Sequence, residues 1–251
     1  MQGLQAMNAA TTSSFQYALS PHMFLCVSDD DVVMLDLAHD KYLAIQADSA
    51  AGLRNLVRNW PLGTEADDAR PTVRASKLAD ALEARGILTK DLERGKDTAP
   101  LVLPKPTREI TADSVVSRPP ARLGDLAVFI RALLVARWLK RNRSVEQIVR
   151  RMQDRKVSAG RAASSRLDEE VASRLVVRFE SLRTVFLSTH NACFLQSVVL
   201  LEVFAHYGLF PSWVFGVKTR PFSAHCWLQH GNVVLADTLD CVGSYKPIVI
   251  V

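Results

Sequence analysis

The stretch Ala224-His225-Cys226-Trp227-Leu228-Gln229-His230-Gly231-Asn232-Val233-Val234-Leu235-Ala236-Asp237 decides how the C-terminal half of this chain folds. Residues 224–229 and 233–237 read as two strands around His230-Gly231-Asn232, a glycine-bearing hairpin loop. A three-residue loop sets Gln229 opposite Val233 and His225 opposite Asp237. A two-residue Gly231-Asn232 loop shifts the pairing by one and leaves His225 and Asp237 near neighbours. Either register brings an imidazole within reach of a carboxylate. His225, Trp227 and Gln229 share one face of the first strand, by the two-residue period.

Upstream, Ser188-Thr189-His190-Asn191 offers capping residues, and Phe194, Leu195, Val198, Val199, Leu200, Leu201, Val203 and Phe204 follow at helical spacing until Gly208 and Pro211. Cys193 therefore falls in a first helical turn. There the unpaired amides and the positive end of the helix dipole favour thiolate over thiol. Thiol-dependent acyl chemistry needs a thiolate, an imidazole to move the proton and a carboxylate to fix the imidazole, and Cys193, His225 and Asp237 supply all three. Taken singly, each also fits a structural role: a buried cysteine, a core histidine, a strand-end aspartate. The conjunction of helix start, strand position and hairpin pairing is what points to a site.

The other cysteines, Cys26, Cys226 and Cys241, show no regular spacing, so a disulfide framework is not expected and a reducing cytoplasm fits best. A zinc site drawn from His190, Cys193, His225, Cys226 and Cys241 has no C-x-x-C pair to anchor it. Adjacent His225 and Cys226 also face opposite sides of a strand. No metal and no cofactor is expected. At 251 residues with 48% hydrophobic content the chain can bury a substantial core and fits two domains. Met1 to Ser14 lacks the basic start and apolar core of an export signal. The most apolar helical run, Leu126 to Leu139, is interrupted by Arg131 and Arg137 and is too short to span a bilayer.

Charge is uneven. Residues 1–94 carry 9 Lys+Arg against 13 Asp+Glu, a net of −4, so the remainder carries +9. Between Arg131 and Arg166 there are 11 basic residues and two acids, Glu146 and Asp154. A solvated helical face, a nucleic-acid surface and a surface for an acidic peptide all fit that count, but aromatic stacking residues are not interleaved with the arginines. The boundary falls in residues 95–120, where Pro100, Pro104, Pro106, Pro119 and Pro120 mark an extended linker.

Before the linker, Phe24 to Val27, Val32 to Leu37 and Lys41 to Ile45 read as three short strands. Helices are expected over Asp48 to Asn59 and over Arg74 to Arg85, the second stopped by Gly86. An exposed edge of such a sheet can accept an extended peptide. After the linker the pattern turns helical. Ser144-Val145-Glu146-Gln147 is a capping box, and Val171, Leu175, Phe179, Leu182 and Phe186 form one apolar stripe that leads into the Cys193 segment. The class is α+β.

The stretches His190-Asn191-Ala192-Cys193-Phe194-Leu195-Gln196-Ser197, Trp213-Val214-Phe215-Gly216-Val217 and Ala224-His225-Cys226-Trp227-Leu228, with Asp237, resemble the B protein of lasso peptide biosynthesis. Those proteins are leader peptidases with a transglutaminase-like, papain-related fold. Met34-Leu35-Asp36-Leu37, Asp40-Lys41-Tyr42-Leu43 and the helix that follows resemble the small leader-recognition domain, a winged-helix-like module similar to the PQQ-biosynthesis chaperone. The resemblance implies a leader-recognition domain over 1–94, a Pro-rich linker over 95–120 and a cysteine endopeptidase domain over 121–251.

By that resemblance Cys193 attacks the carbonyl of the last leader residue. His225 moves the proton to the leaving amine, Asp237 holds the imidazole, and the acyl-enzyme hydrolyses. His190 or Asn191 either completes an oxyanion hole or caps the helix, and Trp227 either lines the cleft or belongs to the core. The leader is implied to add as a strand beside Lys41 to Ile45, with Tyr42, Lys77, Leu78 and Ala81 as its contacts. The implied partners are the precursor peptide and an ATP-dependent, asparagine-synthetase-like cyclase that closes the macrolactam. This chain has no Walker-type Gly-rich Lys motif, so an ATP requirement of cleavage, which the sequence does not reveal, fits the partnered system better than this chain. An acyltransferase of the same fold and a non-catalytic peptide carrier are the competing readings.

Overall fold

Alternating apolar residues and well-placed turns produce three antiparallel strands near the N-terminus, and long amphipathic runs produce the helices that follow. The computed structural model describes residues 15–29, 31–62, 72–98, 101–115, 123–164, 168–187 and 193–251. In chain order the first elements are β1 (Ala18–Leu19), β2 (Met23–Ser28), β3 (Asp31–Asp36), β4 (Lys41–Ile45), α1 (Ala47–Ala51), α2 (Val73–Ala84) and β5 (Leu88–Thr89). Then come β6 (Arg108–Ile110), α3 (Leu123–Asn142), α4 (Val145–Ser164), α5 (Glu169–Phe186) and α6 (Cys193–His206). The chain closes with β7 (Ser212–Thr219), β8 (Phe222–His230), β9 (Val233–Leu235), α7 (Leu239–Gly243) and β10 (Lys246–Ile250).

These elements group into two units, one of Met1–Pro21 with Ala47–Ala99, the other of His22–Gln46 with Pro100–Val251. The division differs from the expected boundary near residue 94. Strands β2 to β4 group with the C-terminal half, because Val33, Leu35 and Leu37 share a core with residues such as Phe129, Trp213 and Val249. Alternation along a strand shows which faces are apolar, but not which part of the chain will cover them.

In the smaller unit β1 pairs antiparallel with β5. Thr72 caps α2 by accepting the Ala75 N–H at 3.2 Å, and the chain leaves that helix through Gly86 at φ 73°. The helix expected over Asp48 to Asn59 stops at Ala51. Beyond it the chain runs in turns, with Leu53 and Arg54 donating to Ala50 and Ala51, and the Leu56 carbonyl accepts the Gln16 and Tyr17 amides. Gly52 packs on α2, where an added Cβ would lie 3.1 Å from the Ala75 Cβ.

In the larger unit β2, β3 and β4 form an antiparallel meander in that order, with Phe24 opposite Leu35 and Leu35 opposite Tyr42. A second sheet has the order β10-β7-β8-β9-β6. Its last strand comes from the stretch expected as linker: β6 pairs parallel with β9, and the Thr107 and Arg108 amides donate to the Asn232 carbonyl. Prolines before it did not prevent a three-residue edge strand, since an edge needs only one side of its backbone paired. Pro119 and Pro120 lie outside the described residues.

Helices cover the second sheet. Ser144 and Gln147 form the reciprocal capping box at 3.3 Å each way, and Asp168 caps α5 by accepting the Glu170 and Val171 amides. Phe129, Leu133, Leu175, Phe179, Val199, Phe204, Trp213 and Leu228 make one buried core. Most of the basic residues from Arg131 to Arg151 are exposed, which is the solvated-face reading of that charge run. Farther along, Arg155 pairs with buried Glu202, and Lys156 reaches Ser212 Oγ at 3.0 Å.

One close approach fixes the centre of the sheet. Gly216 lies opposite His225, and a Cβ there would sit 2.7 Å from the Trp227 ring and 2.9 Å from the Tyr245 Cβ. Gly216→Ala should therefore destabilise the fold by about 1–3 kcal/mol through overpacking. Thermal denaturation of the variant checks this, and an unchanged melting temperature would contradict it.

Candidate active site

The site is assembled by a helix start and a hairpin. Cys193 is the first residue of α6, whose opening amides have no intrahelical acceptor. Ser188 to Asn191, the expected capping stretch, and with it both oxyanion candidates His190 and Asn191, lie outside the described residues.

In the hairpin the register is that of the two-residue loop: Gln229 faces Val234 and His230 faces Val233. Strand β9 ends at Leu235 rather than running to Asp237, because Ala236 takes a left-handed φ of 57°. That turn re-aims the next side chain. Asp237 Oδ2 meets His225 Nε2 at 2.5 Å, while its Oδ1 accepts the Thr238 amide at 2.8 Å. Thr238 in turn caps the short helix α7, accepting the Cys241 amide at 3.2 Å. The Leu239 amide is held by Glu109 Oε2 at 2.6 Å.

The imidazole has two aromatic walls. Trp227 stacks on it at 6.1 Å between centroids and 19° between planes, and Tyr245 lies at 5.3 Å. Trp227 is itself buried, and its Nε1–H donates to Gln229 Oε1 at 3.2 Å. Gln229 then donates to the carbonyls of Pro104 and Gly231, each at 2.7 Å. Trp227 thus both borders the cavity and serves as the platform behind His225.

Strand β9 pairs with β8 only from Leu228 onward, so on that side no strand among the described residues pairs with Ala224 to Trp227. Cys193 interacts there with both neighbours. A hydrogen bond from the buried Cys226 thiol and one from His225 hold the Cys193 thiol far below its ordinary range, to about 4. Burial opposes the charge on His225, but the bond to Asp237 and the interaction with Cys193 outweigh it and raise the imidazole to about 9. Asp237 is likewise opposed by burial and lowered by His225. At neutral pH the pair is a thiolate and an imidazolium. Asp237 engages Nε2, which leaves Nδ1 as the nitrogen for Cys193.

Cys226 was not legible as part of this site. Strand alternation places it opposite His225, toward α6, where Ser197 Oγ donates to its carbonyl at 3.2 Å and lies 3.6 Å from its sulfur. The Cys193 thiol sits where both faces can reach it. Cys241 also approaches: His225, Asp237 and Cys241 each present a donor atom within 4.8 Å of one another. Burial and the Asp237 charge push the Cys241 thiol up to about 11, so it stays a thiol that donates to Asp237.

The other expected contacts divide. Tyr42 lies on β4, half-buried, with its ring 5.5 Å from Phe222, and it borders a cavity that also contains Cys193. Lys77, Leu78 and Ala81 lie on α2 in the smaller unit, Lys77 and Ala81 exposed and Leu78 half-buried.

A cysteine at a helix start beside a strand histidine that an aspartate orients is the set of groups that thiol-dependent acyl chemistry needs. Residues 128–250 match the transglutaminase-like superfamily, and the chain carries a domain of that superfamily there. Members are often cysteine-dependent enzymes, proteases or acyltransferases. No curated protein and no solved structure matches the chain. Among the described residues no helix is long and apolar enough to cross a membrane.

Alkylation of Cys193 by iodoacetamide, followed by mass spectrometry, should stay fast from neutral pH into mild acid. It should fall only as pH drops through a midpoint of about 4, where the thiolate takes up its proton. Asp237→Asn should move that midpoint upward, because an unsupported imidazole loses its charge and no longer stabilises the thiolate. A wild-type midpoint near the ordinary thiol value of about 8.5 would refute the ion pair.

Proposed function

We propose that this protein is a leader peptidase of lasso peptide biosynthesis, a cysteine endopeptidase that cuts a ribosomally made precursor between leader and core. The observation that carries this reading is the His225–Asp237 bond beside Cys193 at the start of α6, with the interactions of His225 and Cys226 both lowering the Cys193 thiol. Cys193 Sγ attacks the carbonyl carbon before the cut, and the oxyanion forms near the opening amides of α6. The C–N bond breaks as His225 gives its proton to the leaving nitrogen. This frees the core amine and leaves a thioester. Water then attacks the thioester, His225 takes its proton, and the leader departs as a carboxylate. Asp237 keeps the ring oriented and stabilises its cation throughout.

Leader recognition belongs to the N-terminal part, in the winged-helix-like manner of the family. The leader adds along β4, an edge strand of its sheet, with Tyr42 as its contact there; the family resemblance also assigns contacts to Lys77, Leu78 and Ala81 of the smaller unit. Holding the leader along β4 raises the effective concentration of the scissile bond at Cys193. The freed amine passes to an ATP-dependent, asparagine-synthetase-like cyclase in the cytoplasm, and the product is an antibiotic-type lasso peptide. The competing reading is acyl transfer, which the superfamily also includes, with an amine instead of water resolving the thioester.

Purified protein incubated with a precursor should give two fragments with free termini by mass spectrometry, and Cys193→Ala should give none. An amine adduct would instead establish acyl transfer, and cleavage by Cys193→Ala would sink the peptidase reading. Deleting residues 1–94 would remove β2 to β4 from the unit that holds Cys193, so substitutions test leader binding more cleanly. Lys77→Glu with Leu78→Asp should raise KM for the full precursor about tenfold or more, while leaving a short junction peptide unaffected. Equal losses on both substrates would contradict the division of labour.

A further inference from the structure

Two cavities meet at Cys193, His225 and Cys226, and they differ in charge. One, of about 540 Å³, is bordered by Glu109, Asp113, Glu180 and Asp237 against Arg183, apart from His225, which both cavities share. Glu109 and Glu180 are partly engaged, by the Leu239 amide and by the Ala112 amide with Arg183, whereas Asp113 is exposed with no partner among the described residues. The other cavity, of about 420 Å³, has an apolar floor that includes Phe194, Ile148 and Tyr42. Its rim carries Lys140 and Arg143, both exposed and without a carboxylate partner among the described residues, against Asp40.

Resting on the leader-peptidase reading, we propose that the substrate crosses Cys193 with a fixed polarity. The segment before the cut lies in the cationic Tyr42, Lys140 and Arg143 chamber and prefers an acidic side chain there; the new amino terminus emerges into the acidic Asp113 chamber. Three observations agree on the direction. Hydrolysis makes a carboxylate on the acyl side and an ammonium on the amine side, and each chamber has the opposite sign to one of these products. Asp237 borders only the acidic chamber, so the imidazole that must protonate the leaving nitrogen is backed from that side. Finally, Tyr42 belongs to β4, the last strand in the order β2-β3-β4, so a leader that adds there, as proposed above, ends in the cationic chamber.

The test labels Cys193 in the full-length protein with N-acetyl tripeptidyl acyloxymethyl ketones that differ only in Glu, Gln or Lys at the penultimate residue. Such probes occupy the acyl side alone. The labelling rate should fall in the order Glu, Gln, Lys, by up to roughly fivefold per step, and the spread should shrink with added salt. Lys140→Glu with Arg143→Glu should invert the order, Arg143→Ala should flatten it, and Asp113→Lys should leave it unchanged. On the other side, a short peptide with a free amino terminus should protect Cys193 from iodoacetamide better than its N-acetylated form, and Asp113→Lys should remove that difference.

A preference for Lys, equal or absent labelling by the three probes, or an order that responds to Asp113→Lys instead of the Lys140 and Arg143 changes would overturn the assignment. Labelling needs no peptidase turnover. A precursor left uncut while the charge order holds would sink the leader-peptidase reading alone. Cleavage without any charge order would sink the polarity alone.

Discussion

The bond between His225 Nε2 and Asp237 Oδ2 is the constraint on which the site depends, and it exists because β9 stops short. Had the strand continued in the observed register, Asp237 would have followed the pleat. The left-handed Ala236 turns the chain out of the sheet instead, and the Thr238 amide and the Thr238 cap of α7 hold the new direction. Local backbone geometry of this kind costs free energy wherever it occurs and persists where the surroundings over-determine it. Here they do: Glu109 on β6 grips the Leu239 amide, so the edge strand and the turn that carries Asp237 stabilise each other.

The imidazole is oriented from behind as firmly as from its edge. Trp227 stacks under it, Gln229 fixes the indole, and Gln229 is tied to the segment before β6 through the Pro104 carbonyl. Gly216 provides the space that the indole fills. On the other side of the strand, Cys226 and Ser197 connect the sheet to the start of α6. The thiol, the ring and the carboxylate are thus each held by a separate piece of sheet packing. A thiolate and an imidazolium in a half-buried cleft require such support, since burial by itself opposes both charges.

Sequence reading recovered the local parts well. The strands 24–27, 32–37 and 41–45, the α2 stop at Gly86, the Ser144 to Gln147 capping box and the α5 stripe all follow from patterns spanning a few residues, and the structure places them within a residue or two. The helix expected to Asn59 stops at Ala51, before Gly52, and the chain goes on in turns that bring the Leu56 carbonyl to the amides of residues 16 and 17, a partner that no local pattern announces. The stretch around Pro104 and Pro106 read as linker, since prolines before a three-residue edge strand leave little periodicity to detect. Grouping β2 to β4 with the C-terminal half was equally invisible, because a strand's apolar face does not name its partner.

By itself the sequence determined the chemistry available: one cysteine at a helix start, one histidine on a strand and one aspartate after a hairpin, with glycine and asparagine to turn it. It also restricted the hairpin to two registers, either of which brought imidazole and carboxylate together. Only the tertiary structure decided which register held and how Ala236 re-aimed Asp237. It alone brought Cys226 and Tyr42 to Cys193 and gave the two sides of the thiol opposite charge. The physical reason is range. Capping, periodicity and turn chemistry act over a few residues, whereas the field and shape at Cys193 are sums over groups that lie far apart in the chain and meet only when the sheet closes.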